Sequence, residues 1–186
     1  VIKAMKGYQS DLNDRTKDIP DSVKPTVYTG AVSFKGAHGF EGTYAQYAPF
    51  VAVNAKNVVD ETGQNGALLI DLEKVAVWNP HYIFLNPENM NLVNQGYASN
   101  PAFYHNLTAV KDGNIYSQPS FNYNGTNFEL AIADAYYVGK VIYPDTFSDI
   151  DMDKKSDEIF QAILGSTYVK ELNDSGRGFN KLTIGS

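Results

Sequence analysis

The chain has 186 residues, 43% of them hydrophobic and 19% charged, and a formal net charge of -6. This suits one globular domain with enough length to bury a core, while the acidic balance argues against a general nucleic-acid surface, which needs a basic patch. The lack of cysteine excludes disulfides, thiolate metal sites and cysteine nucleophiles together, and no apolar run approaches the roughly 20 residues that span a bilayer.

Residues 1–19 read as a helix, with Ile2, Met5, Tyr8 and Leu12 recurring at helical spacing. The helix starts without a capping residue, as though inside a longer one, and lacks the apolar centre of a secretion signal. Pro20 closes it, and residues 26–32 read as a first strand. Residues 33–42, SFKGAHGFEG, form a glycine-rich loop whose ionisable groups are Lys35, His38 and Glu41. Residues 43–50 are expected to begin a short helix, residues 51–59 are apolar and ambiguous, and residues 60–66, DETGQNG, read as a solvent loop.

Residues 71–86, DLEKVAVWNPHYIFLN, read as a compact helix–turn–strand unit. Asp71 can cap the helix by accepting a backbone N–H, and Glu73 sits in the first turn, where the helix dipole favours a negative charge. Leu72, Val75 and Ala76 follow at helical spacing, and Asn79-Pro80 stops the helix. Tyr82 to Leu85 is an apolar run short enough for a strand buried on both faces, as in a parallel sheet. His81 reads as a turn residue.

Short helices are expected within residues 87–100 and 101–107, followed by a turn at Asp112-Gly113 into a strand ending near Tyr116. Residues 117–125, SQPSFNYNG, form a polar aromatic loop. Thr126-x-x-Glu129 has the form of a capping box and opens the clearest helix, running to Tyr143. Its inward face is expected to hold Phe128, Ala131, Ile132, Ala135, Tyr136, Gly139 and Ile142. Residues 153–164 read as a second amphipathic helix, which residues 168–172 extend past Gly165.

Strands alternating with helices predict an α/β fold in three layers, with a mainly parallel central sheet and helices on both faces. Ligands of such sheets sit beyond the carboxyl ends of the strands, which singles out loops 33–42 and 117–125. Lys35, His38 and Glu41 suit a ligand-facing loop. His38 and Glu41 could also coordinate a metal, although two groups are too few for a closed site, and the glycines alone suit an ordinary surface turn. Tyr44, Tyr47, Phe121, Asn122, Tyr123, Asn124 and Asn127 could line a cleft that stacks on and hydrogen-bonds a bulky polar ligand. Tyr44 and Tyr47, three residues apart, suit a core equally, and the aromatics of the second loop could simply cover it. With arginine limited to Arg15 and Arg177, a bidentate guanidinium clamp has few candidates. No nucleophile elbow, P-loop or zinc-protease helix motif occurs. A non-enzyme is therefore expected, with a small α/β hydrolase acting through Glu41 or His38 as the alternative.

Four phrases occur in a familiar order: VYTGAVSFKGAHGFEGTYAQYAPF, IDLEKVAVWNPHYIFLN, PAFYHNLTAVKDGNIYSQP and ELAIADAYYVGKVIYPDTF. Together they resemble the iron-complex, siderophore and cobalamin class of ABC-transporter substrate-binding proteins. Members of that family have two α/β lobes joined by a long helix, with the ligand between the lobes. The resemblance implies that residues 1–24 are the end of the joining helix and a linker, and residues 25–186 the C-terminal lobe. It implies an N-terminal lobe and a signal or lipid anchor outside this chain, and an extracytoplasmic location. The ligand would be an iron-siderophore, haem, cobalamin or similar metal complex, with no other cofactor and no nucleic acid, and the partner an ABC permease. Glu73 falls where the family's C-terminal lobe presents a glutamate to basic permease residues, matched by another on the missing lobe. His81 departs from the family phrase, which has Asp there. A sensor or partner-binding domain that kept the lobe and lost transport remains the further alternative.

Overall fold

The computed structural model describes residues 1–122 and 125–186. The chain folds as two compact units. One comprises Val1–Lys24, Ala48–Ala55 and Phe121–Phe179; the other comprises Pro25–Tyr47, Lys56–Ser120 and Asn180–Ser186. The fold is α/β, with a mainly parallel central sheet flanked by helices.

The second unit carries the sheet. Strands β1 (Thr26–Gly30), β3 (Lys56–Asn57), β5 (Tyr82–Leu85) and β6 (Ile115–Ser117) lie in the order β3-β1-β5-β6, and every neighbouring pair is parallel. The apolar run 82–85 is thus the strand its composition predicts. Ile83 and Leu85 point into a cluster with Tyr28, Phe40, Val75, Val93, Tyr104 and Leu107, while Phe84, facing the opposite way, is equally buried. Burial on both faces explains why this strand has no polar alternation.

The helix of the 71–86 unit forms as read. It is α3 (Leu72–Trp78), and the Asp71 carboxylate accepts from the Glu73 N–H at 3.0 Å. Asn79, in the left-handed region at φ 44, ends it and turns the chain towards β5. His81 is the turn residue expected: its Nδ1 accepts from the Thr26 N–H at 3.0 Å, joining the starts of β5 and β1.

Residues 43–50 differ from expectation. Instead of opening a helix, Gly42–Ala45 form strand β2, antiparallel to β4 (Gly66–Leu69), and the short helix α2 (Ala48–Ala52) starts only afterwards. The partner strand lies more than twenty residues on, so local spacing could not reveal it. The predicted solvent loop 60–66 is also partly ordered, because a 3-10 helix spans Val58–Thr62 with Val58 and Val59 buried. In this unit α4 (Met90–Ser99), α5 (Pro101–His105) and α6 (Thr108–Lys111) complete the connection from β5 to β6.

The first unit is helical among its described residues: α1 (Ile2–Thr16), α2, α7 (Phe128–Ile142), α8 (Met152–Leu164) and α9 (Val169–Asp174). The capping box expected at Thr126 does not form. Asn127 is the N-cap without a side-chain bond, and Glu129 is buried, where it accepts from the Tyr168 hydroxyl at 3.4 Å. Phe128, expected inward, is 52% exposed, and burial runs almost continuously from Ala133 to Gly139. A helix enclosed on most sides has no single inward stripe. Gly165, at φ 80, ends α8, so α9 is a separate helix rather than an extension.

Candidate functional site

Loop 31–42 leaves the carboxyl end of β1 and is held mainly by its own backbone. The Ala31 N–H donates to the Gly39 carbonyl at 3.1 Å, Val32 to Gly42 at 3.0 Å, and Gly42 back to Gly39 at 3.0 Å. Ala31 and Lys35 adopt positive φ, at 57 and 49. The glycine at 42 is required: a Cβ there would lie 2.6 Å from the His38 Cβ and 2.9 Å from the Val32 carbonyl oxygen. Asn89, buried in the turn after β5, donates from Nδ2 to the Ala31 carbonyl and to Ser33 Oγ, both at 2.8 Å.

Phe40 anchors the loop in the core. Its ring stacks on Tyr28 at 5.1 Å and meets Phe103 and Tyr104 edge-on, while its carbonyl accepts from the Tyr28 hydroxyl at 2.6 Å. Burial pushes the Tyr28 phenol up, and burial with the nearby Glu41 charge raises Tyr104 to about 12. Both stay protonated at any physiological pH.

Lys35 is exposed at the tip of this loop. His38 lies against Phe34 with ring centroids 4.3 Å apart, and its Nε2–H donates to the Phe34 carbonyl at 2.8 Å. That bond commits one imidazole nitrogen to holding the loop, leaving Nδ1 as the acceptor. Glu41 Oε1 accepts from the Gly39 N–H at 3.2 Å, and the Glu41 carbonyl accepts from the Ile70 N–H at 3.0 Å. The three ionisable residues thus share one preorganised loop. Among the described residues, no group of three or more His, Asp or Glu side chains is placed to hold a metal ion.

Tyr44 and Tyr47 flank the end of β2 with ring centroids 5.7 Å apart. Tyr47 is 5% exposed and belongs to the core, whereas Tyr44 is half-buried and offers part of its ring. Phe121 and Asn122 belong to the helical unit. Phe121 is buried, and exposed Asn122 accepts from the Thr126 hydroxyl at 3.5 Å. Tyr123 and Asn124 lie outside the described residues. Sequence reading passed over Gln118, immediately after β6. Its side chain is 2% exposed, and neither amide atom has a hydrogen-bond partner among the described residues. Its one sequence signal is its place at a strand's carboxyl end.

A second feature of this unit centres on Glu73. A hollow of about 520 Å³ lies between the 3-10 helix 58–62 and α3, lined by Glu61, Thr62, Asp71, Glu73, Lys74, Val77 and Trp78. Glu73 is exposed on the first turn, and its carboxylate has no partner among the described residues. The Trp78 indole N–H donates to Glu61 Oε2 at 2.8 Å. The Ile70–Glu41 backbone bond and the β2–β4 pairing tie α3 to loop 31–42.

The helical unit has a hollow of about 530 Å³ among α1, α7 and α8. There the Arg15 guanidinium meets Asp149 through both oxygens, at 2.7 and 2.8 Å, and Asp11 at 3.0 Å. Lys155 lies over the rings of Tyr8 and Tyr136, and burial with the neighbouring Glu158 raises Tyr8 to about 12. Charges that already satisfy one another make this a structural network.

No family model matches the chain. In sequence it is similar to the molybdate-binding protein MolA of Haemophilus influenzae, 24% identical over 172 residues, which cover 90% of this chain and 47% of MolA. The structure of molybdate-bound MolA, the periplasmic binding protein of an ABC transporter, superposes with a TM-score of 0.69 at 23% identity, covering 90% of this chain and 50% of that one. An ABC-transporter solute-binding protein from Sulfurospirillum deleyianum gives 0.67 at 17% identity, with 91% and 53% covered. CeuE of Helicobacter pylori with Ni(II) bound gives 0.65 at 15%, with 92% and 53% covered. The chain therefore spans about half the length of the relatives it matches. The homologue and structural neighbours are periplasmic solute-binding proteins, the class that the four sequence phrases resemble, matched over a lobe-sized chain. No helix among the described residues is long and apolar enough to cross a membrane.

Proposed function

We propose that this chain is the C-terminal lobe of the extracytoplasmic solute-binding component of an ABC importer, and that its cargo is a metal complex. The observation that carries this reading is the match, spanning about half of their length, to proteins that are binding proteins by name. Cargo chemistry rests on two matched structures, MolA holding molybdate and CeuE holding Ni(II).

In this reading the ligand is pinched between this lobe and an N-terminal lobe. Loop 31–42 presents Lys35, His38 and Glu41 from the carboxyl edge of the sheet, where such folds bind ligands. Its backbone bonds and the Phe40 anchor preorganise it, which lowers the entropy lost on binding. Tyr44 at the end of β2 is a further ligand-facing candidate, and Asn122, Tyr123 and Asn124 are candidates on the sequence alone. Glu73, exposed and without a partner among the described residues, meets basic residues of the permease.

The test uses the full-length protein. Calorimetric titration with molybdate, Ni(II) and ferric catecholate and hydroxamate chelates is expected to find one metal complex that binds stoichiometrically. Binding of an unrelated solute class with no metal complex would overturn the cargo assignment. Glu73→Lys is expected to lower uptake with ligand affinity unchanged; an unaltered uptake rate would remove the docking role.

A further inference from the structure

We propose that residues 180–186 form a separable strap along the open edge of β6, and that the strap of a second copy of this chain fills the groove when its own strap is displaced. This is independent of the transport reading above.

The chain leaves the sheet-bearing unit at Ser120 and returns to it at Asn180. The returning segment then completes the edge of the sheet. The Ser117 N–H donates to the Asn180 carbonyl at 2.8 Å, and the Leu182 N–H donates to the Ile115 carbonyl at 2.9 Å. Between these bonds Tyr116 and Lys181 face one another as an antiparallel bridge, with the Lys181 ammonium over the Tyr116 ring. The Asn180 N–H donates to Ser117 Oγ at 2.9 Å. Half-buried Leu182 and Ile184 pack against the core cluster and alternate with exposed Lys181 and Thr183. That is the period of an antiparallel strand with one wet face. Asn94 clasps the far end: its Oδ1 accepts from the Gly185 N–H at 2.8 Å, and its Nδ2 donates to the Ser186 carbonyl at 3.1 Å.

A short segment at the border of a sheet belongs to the part of a fold that opens most readily. Opening bares the Ser117 N–H, the Ile115 carbonyl and the apolar surface under Leu182 and Ile184. An uncovered sheet edge of this kind pairs with another chain. The structure already shows a sequence that fits the groove, and every copy carries it. Exchange of straps between two copies restores each of these contacts, which makes it a low-cost route to a dimer. It also secures Ser117, from which loop 117–125 leaves the sheet.

The test uses the full-length protein. A non-hydrogen-bonded antiparallel pair brings its Cα atoms within disulfide range, and this chain has no cysteine of its own. The Tyr116→Cys/Lys181→Cys double variant is expected to close that link within one chain. The two single variants are then mixed, loosened in dilute urea and returned to buffer at high concentration. Peptide mapping is expected to find a heterodimer linked through positions 116 and 181, in a share that grows with protein concentration. A mixture without that dimer, from positions that close in the double variant, would overturn the exchange. A double variant that stays open would remove the strap itself. Leu182→Asp is expected to speed hydrogen exchange of the Ser117 amide about tenfold or more. A change within about twofold would show that the segment does not open as one strap.

Discussion

The two units use their aromatic residues differently. In the sheet-bearing unit, Tyr28, Phe40, Phe103 and Tyr104 pack ring against ring beneath loop 31–42, so the same cluster forms the core and holds a candidate ligand loop in place. In the helical unit, Tyr8, Tyr136 and Phe147 each meet a cation, and Arg15 and Lys155 line the hollow among α1, α7 and α8. A sheet edge releases loops and needs an apolar anchor under them. Packed helices present long polar side chains to one another, and ion pairs over aromatic faces finish the contact.

The comparison breaks most severely at Phe40. Phe40→Ala removes a buried ring from contact with three others and is expected to cost about 3–5 kcal/mol in urea denaturation, with faster amide exchange in residues 31–42. A loss below about 1 kcal/mol would mean that the cluster does not anchor the loop.

The helical unit offers a matched pair of smaller effects. A Cβ at Gly139 would lie 2.4 Å from Phe147 Cζ, whereas one at Gly7 meets nothing within 4 Å. Gly139→Ala is therefore expected to destabilise by about 1–3 kcal/mol through overpacking. Gly7→Ala, in open space on α1, is expected to stabilise by up to about 1 kcal/mol through helix propensity. Equal effects in thermal unfolding would show that close packing of α7 is not what separates the sites.

The smallest effect tests the charge network. The Arg15 guanidinium lowers Asp149 from 3.8 to about 2. A carboxyl whose folded pKa is depressed contributes stability above its unfolded pKa and loses it as pH falls through the folded value. Asp149→Asn is thus expected to lower stability slightly at pH 7, and the difference should shrink as pH drops from about 4 to about 2. A difference independent of pH would show that Asp149 acts through packing or backbone contacts instead.

Where the structure follows the sequence reading, the determinants are local. The Asp71 cap, the stop at Asn79-Pro80 and the buried run Tyr82 to Leu85 need only neighbouring residues to be recognised, and all three are present. The two loops leaving β1 and β6 could likewise be placed, because strand ends follow from the alternation of strands and helices. The His38 and Glu41 positions were legible as a loop. Their bonds to Phe34 and Gly39 were not, since they depend on left-handed backbone at Lys35 and on Asn89 reaching the loop from the turn after β5.

By itself the sequence determined the fold class of this protein: composition, punctuation and short-range periodicity specify an α/β fold with a mainly parallel sheet, and place Glu73 in a capped first turn. Tertiary structure decided what those elements meet. It paired 42–45 with 66–69, buried Tyr47 and Phe121, moved Glu129 from a cap to beneath Tyr168, and brought Glu61 and Trp78 together beside Glu73. Each of these depends on residues distant in sequence. Spacing along one element records which face a side chain occupies, and carries no information about the surface that face will find.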